Sequence, residues 1–173
     1  NILIGEVWLC SGQSNMEYPM KNGFGGKPKK TADSLIDGML DNNPQIRLFK
    51  VEKKLSIPDV TSTGWHEARD TALANFSAAG YYFAKNIYKE LHVPIGMIQS
   101  AWGGSRIEPW TPAEAYIPLP AFKSETSGQP IKISGVEPGK DYKSMVLPLA
   151  PFALRGFLWY QGESNVMIED RLH

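Results

Sequence analysis

The sequence predicts an α/β fold built on an open, mostly parallel sheet with helices on both faces. Three observations predict it. Short apolar runs at 2–10, 93–99 and 154–160 read as buried strands. A strongly periodic helix lies between the first two. Small polar residues and glycines close each strand, giving the strand–helix–strand order of parallel sheets.

The elements follow in order. Ile2 to Cys10 is short, apolar and in part β-branched or aromatic, and Ser11-Gly12 ends it. Gly23 to Lys30 reads as a loop, and Thr31 to Leu40 as a short helix with Thr31 or Asp33 near its cap. Ile46 to Val51, with Arg47 and Lys50 interleaved, suits a half-exposed strand. From Ser77 to Leu91, the residues Ala78, Tyr81, Tyr82, Ala84, Ile87, Tyr88 and Leu91 recur near a 3.6 period, with Lys85, Lys89 and Glu90 opposite. This helix stops before Pro94, and Val93 to Gln99 forms the next strand. Trp102-Gly103-Gly104-Ser105 is a turn whose glycines permit positive φ or close backbone approach. Residues 117–143, rich in Pro, Gly, Ser and Lys, read as a long connection, and Leu154 to Tyr160 as a final buried strand before Gln161-Gly162.

Composition sets the bounds. The 173 residues are 42% hydrophobic and 21% charged, as in one compact domain, and 18 Lys+Arg balance 18 Asp+Glu. A net charge of zero supplies no global field for a nucleic-acid backbone or an anionic membrane surface, and Lys27-Pro28-Lys29-Lys30 reads as a solvated loop. No apolar run approaches the roughly 18 residues of a membrane span. The single cysteine, Cys10, excludes an internal disulfide and a Cys-rich zinc site; within an apolar run it reads as a buried inert thiol. No metal-ligand spacing appears, Gly23-x-Gly25-Gly26 lacks the helix of a phosphate loop, and the chemistry needs no cofactor.

In parallel sheets, ligands gather at the carboxyl ends of strands. Three polar clusters fall there: Ser11-Gly12-Gln13-Ser14-Asn15-Met16, Ser100 to Ser105, and Gln161-Gly162-Glu163-Ser164-Asn165. Together they supply a hydroxyl nucleophile, small residues whose N–H groups can face a cavity, and a side-chain amide. Those are the parts of an acyl-transfer site. Several neighbours have two readings. Arg106 suits a bidentate pair with a sugar-acid carboxylate, or an ion pair with Glu108 or Glu163. Glu163 suits substrate binding, or a buried carboxylate bonded to turn N–H groups. Trp102 and Trp110 suit sugar stacking or packing.

Gly12-Gln13-Ser14-Asn15-Met16, Trp102-Gly103-Gly104-Ser105 with Ile107-Glu108-x-Trp110, and Trp159-Tyr160-Gln161-Gly162-Glu163-Ser164-Asn165 resemble the sialate O-acetylesterases of the SGNH-hydrolase superfamily. Asn75-Phe76-Ser77-Ala78 and Pro148-Leu149-Ala150-Pro151 extend the resemblance over nearly the whole chain. It implies a three-layer α/β/α sandwich and a serine esterase that removes O-acetyl groups from carbohydrates, sialic acids first and acetylated xylan second. It implies Ser14 as nucleophile, and an oxyanion hole from the Ser14 N–H, the N–H of Gly103 or Gly104, and the Asn165 amide. Gln13, Arg106, Gln161 and Glu163 are candidate substrate contacts. The resemblance also implies a secreted or periplasmic protein. A non-catalytic glycan-binding domain on the same fold is the alternative.

The base is where the pattern departs. The family's fourth block, Asp-x-x-His, stands well downstream of the third, so the chain is expected to be an incomplete single domain over 1–173. His66 and His92 match no family site. Asp170-Arg171-Leu172-His173 has the right spelling, but a helix starting after Asn165 carries His173 roughly 12 Å along its axis, away from the strand ends. The base is therefore expected elsewhere.

Overall fold

A computed structural model describes residues 2–21, 41–55 and 59–166. The expected loop at 23–30, the helix at 31–40 and Asp170/His173 lie outside the described residues. Strand β1 (Glu6–Gly12) is flanked in parallel by β4 (Ile95–Ala101) and β5 (Gly156–Tyr160). Strand β2 (Asn43–Val51) lies parallel on the far side of β4, and β3 (Ser62–Ala68) pairs antiparallel with β2. The order β3-β2-β4-β1-β5 makes the sheet mostly parallel, as expected.

Alternation along the strands divides the core between the two faces. Cys10 and Met97 point to one face, where Met16, Leu73, Phe76, Tyr81 and Ala84 meet them. Their neighbours Leu9 and Ile98 point to the other, onto Trp110, Met145 and Leu149. The first face lies under α1 (Ser14–Glu17), α2 (Asp70–Ala74) and α3 (Ala78–Leu91). The second face is covered among the described residues by 3₁₀ turns at Glu108–Trp110 and Leu147–Leu149 and a π turn at Tyr142–Val146. Prolines at 109 and 148 sit in the first turn of each 3₁₀ segment, where a missing N–H costs no internal bond. Burial pushes the Cys10 thiol up to about 12, so the inert reading of that thiol fits its place in the core.

Helix α3 forms where its periodicity places it. The Ser77 side chain accepts from the Gly80 N–H at 3.0 Å, and His92 closes the helix in the left-handed region at φ 54°. Removing the cap with Ser77→Ala is expected to lower unfolding free energy by about 1 kcal/mol, read from urea denaturation. An unchanged midpoint would mean water replaces the hydroxyl.

Strand boundaries differ from expectation in instructive ways. β1 begins at Glu6, because its pairing with β4 starts at Ile95, just after Pro94; Ile2 and Ile4 are left exposed. β1 and β4 each run two residues further than expected, through Ser11-Gly12 and Ser100-Ala101. Serine does not end β4 because its hydroxyl is satisfied inside: Ser100 Oγ donates to the Met145 carbonyl at 2.8 Å. β5 is not the buried strand its apolarity suggested. It pairs only with β1 among the described residues, and Phe157 is 69% exposed. β3 was missed, since Ser62-Thr63-Gly64-Trp65-His66-Glu67 carries no apolar alternation. What holds it is its ladder with β2 and its one large apolar residue, Trp65, whose ring stands 5.3 Å from Phe49 and 6.4 Å from Phe152.

Candidate active site

The registers of β4, β1 and β5 bring the three polar clusters to one level. Gly12 is paired with Ala101 on one side and Tyr160 on the other. Each strand therefore ends in the same row, and Gln13, Trp102 and Gln161 open their turns side by side. Backbone bonds stitch the turns together: Trp102 N donates to the Gly12 carbonyl at 2.9 Å and Gln13 N to the Tyr160 carbonyl at 2.9 Å.

Ser14 is the first residue of α1 and is half-buried. Neither its hydroxyl nor its N–H has a protein partner among the described residues. Gly103 packs directly against it: a Cβ on Gly103 would stand 3.6 Å from Ser14 Cα and Cβ and 2.8 Å from Glu17 Oε2. The Gly103 N–H donates to Glu17 Oε2 at 2.6 Å. That corrects the expectation for Gly103, whose single donor is already held by a carboxylate; its contribution is the absent side chain. Gly104 is exposed, sits at φ +78°, and has an N–H with no acceptor among the described residues. It is the donor left over in this turn.

Asn165 lies in α5 (Glu163–Val166), counting Lys123–Thr126 as α4, and its amide is oriented by its partners. Oδ1 accepts from the Ile107 N–H at 2.9 Å and from Gln161 Nε2 at 2.7 Å. Nδ2 gives one hydrogen to Glu108 Oε2 at 3.2 Å. An amide nitrogen has two hydrogens, so one remains.

The other expected contacts are engaged within the protein. Gln13 is buried, and its Oε1 accepts from the Gly162 and Ser164 N–H groups at 3.1 and 3.3 Å. Gln161 faces Asn165 and, at 3.4 Å, the Ser105 carbonyl. Arg106 pairs with Glu108 at 3.6 Å rather than with Glu163, and donates to the Ser134 carbonyl at 3.0 Å. Glu163 is only half-buried and is not bonded to turn N–H groups: Oε1 accepts from Asn15 Nδ2, while Oε2 is buried without a partner. Trp110 packs in the core and donates from Nε1 to Ser105 Oγ at 2.8 Å. Trp102 is half-buried and lines a depression of about 280 Å³ beside the second turn.

Two carboxylates were missed as site residues. Glu17 ties Gly103 to Lys53 through a 2.6 Å ion pair, and Glu108 holds both Asn165 and Arg106. Their signal in the sequence was position: Glu17 follows Asn15-Met16, and Glu108 lies inside the second block. The described histidines stand apart from the site. His66 Nε2 is 2.9 Å from Thr63 Oγ1 on β3, and His92 caps α3. Among the described residues no three His, Cys, Asp or Glu side chains cluster as a metal set, and no helix is long and apolar enough to cross a membrane.

A parallel sheet whose neighbouring strands end in a serine turn, a glycine turn and an asparagine turn is the arrangement of SGNH-type hydrolases. Residues 4–172 match the family described as carbohydrate esterase, sialic acid-specific acetylesterase, and the chain belongs to that family. Human sialate O-acetylesterase is 31% identical over 176 residues, covering 96% of this chain and 32% of the relative. Mouse sialate O-acetylesterase is 28% identical over 201 residues, covering 95% of this chain and 36% of the relative. The crystal structure of a carbohydrate acetylesterase from Xanthomonas citri aligns with TM-score 0.74 and 34% identity, over 95% of this chain and 34% of that one. The chain thus spans about a third of the length of the curated relatives it matches.

Proposed function

We propose that this chain carries the nucleophile and oxyanion elements of a serine esterase that removes O-acetyl groups from carbohydrates. Ser14 Oγ attacks the acetyl carbonyl as a base takes its proton. The carbonyl oxygen becomes an oxyanion facing the Ser14 N–H, the Gly104 N–H and the free Asn165 Nδ2 hydrogen. Collapse breaks the ester bond; the sugar hydroxyl leaves with the proton, and the acetyl group stays on Ser14. Water then attacks the acetyl-enzyme, releasing acetate and restoring the serine. The base is supplied from outside the described residues, since His66 and His92 lie on β3 and at the end of α3.

The observation that carries this reading is the orientation of Asn165. Two donors fix its carbonyl oxygen, which leaves its nitrogen as the only polar end able to serve a substrate. A glycan-binding surface gains little from an amide donor locked at the same strand ends as a serine with no partner among the described residues. O-acetylated sialic acid is the proposed substrate, supported by the family description and the names of the relatives; acetylated xylan is the alternative.

Asn165→Ala in the intact protein is expected to lower kcat on an aryl acetate by roughly 10²–10³, with KM changed far less. A loss below threefold in steady-state kinetics would remove Asn165 from the oxyanion hole. Acetate release from acetylated sialosides against acetylated xylan then decides the sugar.

A further inference from the structure

The second turn, Trp102 to Ser105, is pinned at three of its four N–H groups. Trp102 N donates to the Gly12 carbonyl at 2.9 Å, Ser105 N back to the Trp102 carbonyl at 3.1 Å, and Gly103 N to Glu17 Oε2 at 2.6 Å. Only the last of these reaches the helix that carries the nucleophile. Ser14 and Glu17 are the first and last residues of α1, one helical turn apart. The Glu17 carboxylate thus fixes the turn that offers the Gly104 N–H relative to the helix that offers Ser14.

A carboxylate in this position opposes the chemistry beside it. Glu17 is 5% exposed, so water screens its charge poorly. A Cβ added to Gly103 would lie 2.8 Å from Glu17 Oε2 and 3.6 Å from Ser14 Cβ, so one glycine separates the carboxylate from the nucleophile. Attack by Ser14 creates a second negative charge, the oxyanion, and an uncompensated Glu17 would repel it. Lys53 supplies the compensation: its half-exposed Nζ stands 2.6 Å from Glu17 Oε1, the oxygen that Gly103 leaves free. Lys50 is a second cation near Glu17, but its Nζ donates to the Asn75 carbonyl at 2.7 Å. Lys53 is therefore the cation bonded to Glu17 among the described residues.

We propose that Glu17 and Lys53 form a charge-neutral strut: Glu17 is a positioning residue that sets the Gly104 N–H against Ser14, and Lys53 cancels the charge this brings to the oxyanion hole. This rests on the esterase reading above and adds how the hole is held and how it tolerates a buried carboxylate. The strut separates two requirements. An acceptor for the Gly103 N–H is needed, whereas a charge on that acceptor is not, so a neutral amide can serve once the lysine is gone.

The test compares the intact protein with its Lys53→Met, Glu17→Gln and Glu17→Ala variants and the Glu17→Gln/Lys53→Met double variant on an aryl acetate. Rates are taken per folded molecule, with the folded fraction read from thermal denaturation. Lys53→Met is expected to lower kcat about 10-fold and leave KM within about twofold, because the uncompensated carboxylate opposes the transition state and not the neutral substrate. Glu17→Gln keeps the acceptor without the charge, so its kcat should stay within about threefold of wild type. Adding Glu17→Gln to Lys53→Met should bring kcat back to that level, a rescue that a contact serving stability alone does not give per folded molecule. Glu17→Ala removes the acceptor and should lose about 10-fold or more in kcat. An unchanged kcat in Lys53→Met or Glu17→Ala, or a double variant as slow as Lys53→Met, would overturn the strut while leaving the esterase reading in place. A wild-type protein that releases no acetate would overturn the esterase reading, and the strut with it.

Discussion

Ser14→Ala in the intact protein is expected to abolish acetyl-ester hydrolysis, lowering kcat on an aryl acetate by a factor on the order of 10⁴ or more. Removing a nucleophile leaves only what the oxyanion donors and binding supply. The fold should not notice. Ser14 is half-buried and its hydroxyl has no protein partner among the described residues, so Tm should stay within about 2 °C. Two measurements separate the outcomes: loss of the acetyl-enzyme, followed by mass spectrometry after rapid quenching, and an unchanged melting curve. Substantial residual turnover with Ser14 absent would mean that another group attacks the ester.

The second large effect is on stability. Gly12 ends β1 at φ +133°, and a Cβ there would stand 2.0 Å from the Tyr160 carbonyl oxygen and 2.6 Å from its carbon. Those are backbone atoms of the neighbouring strand, which no rotamer change can move. Gly12→Ala is expected to cost on the order of 3–5 kcal/mol, combining left-handed strain with displacement of β5. Gly104→Ala is the control: it shares a positive φ, at +78°, but would meet nothing within 4 Å. Its cost should be about 1–2 kcal/mol, from backbone strain alone. Chemical denaturation of both variants makes the comparison, and equal losses would show that strain, not the Tyr160 contact, governs Gly12.

The sheet and the three site turns were legible because both rest on local pattern. Apolar runs marked β1, β4 and β5, the 3.6 period marked α3 to within a residue, and Gly, Ser and Asn marked the turns. What stayed hidden was set by tertiary partners. β3 carries one large apolar residue, Trp65, and its place is set by its ladder with β2 and by Phe49 against that ring. The exposure of β5 depends on what packs on it, which its own apolar sequence does not disclose. In the site, the residue types pointed to donors but not to competition for them. Gly103 and Gly104 are equivalent as letters. Only the position of Glu17 shows that one N–H is taken and the other is not. Glu108 was read as a partner for Arg106, which it is, but its hold on Asn165 required the third turn to lie against the second.

The Gln13 clamp sets how the site would respond to disturbance. Its carbonyl receives two N–H groups of the third turn while its own N–H is bonded to the end of β5. Serine and asparagine, 151 positions apart in the chain, are thus fastened to one hydrogen-bonded frame rather than to separately moving loops. Their spacing is quantised by the ladder: a slip of β5 along β1 that restores the ladder with the same faces inward moves two residues, about 6.6 Å, far coarser than any catalytic tolerance. The oxyanion geometry therefore has no gradual mode of failure along this strand. It is held in register, or it is lost in one step.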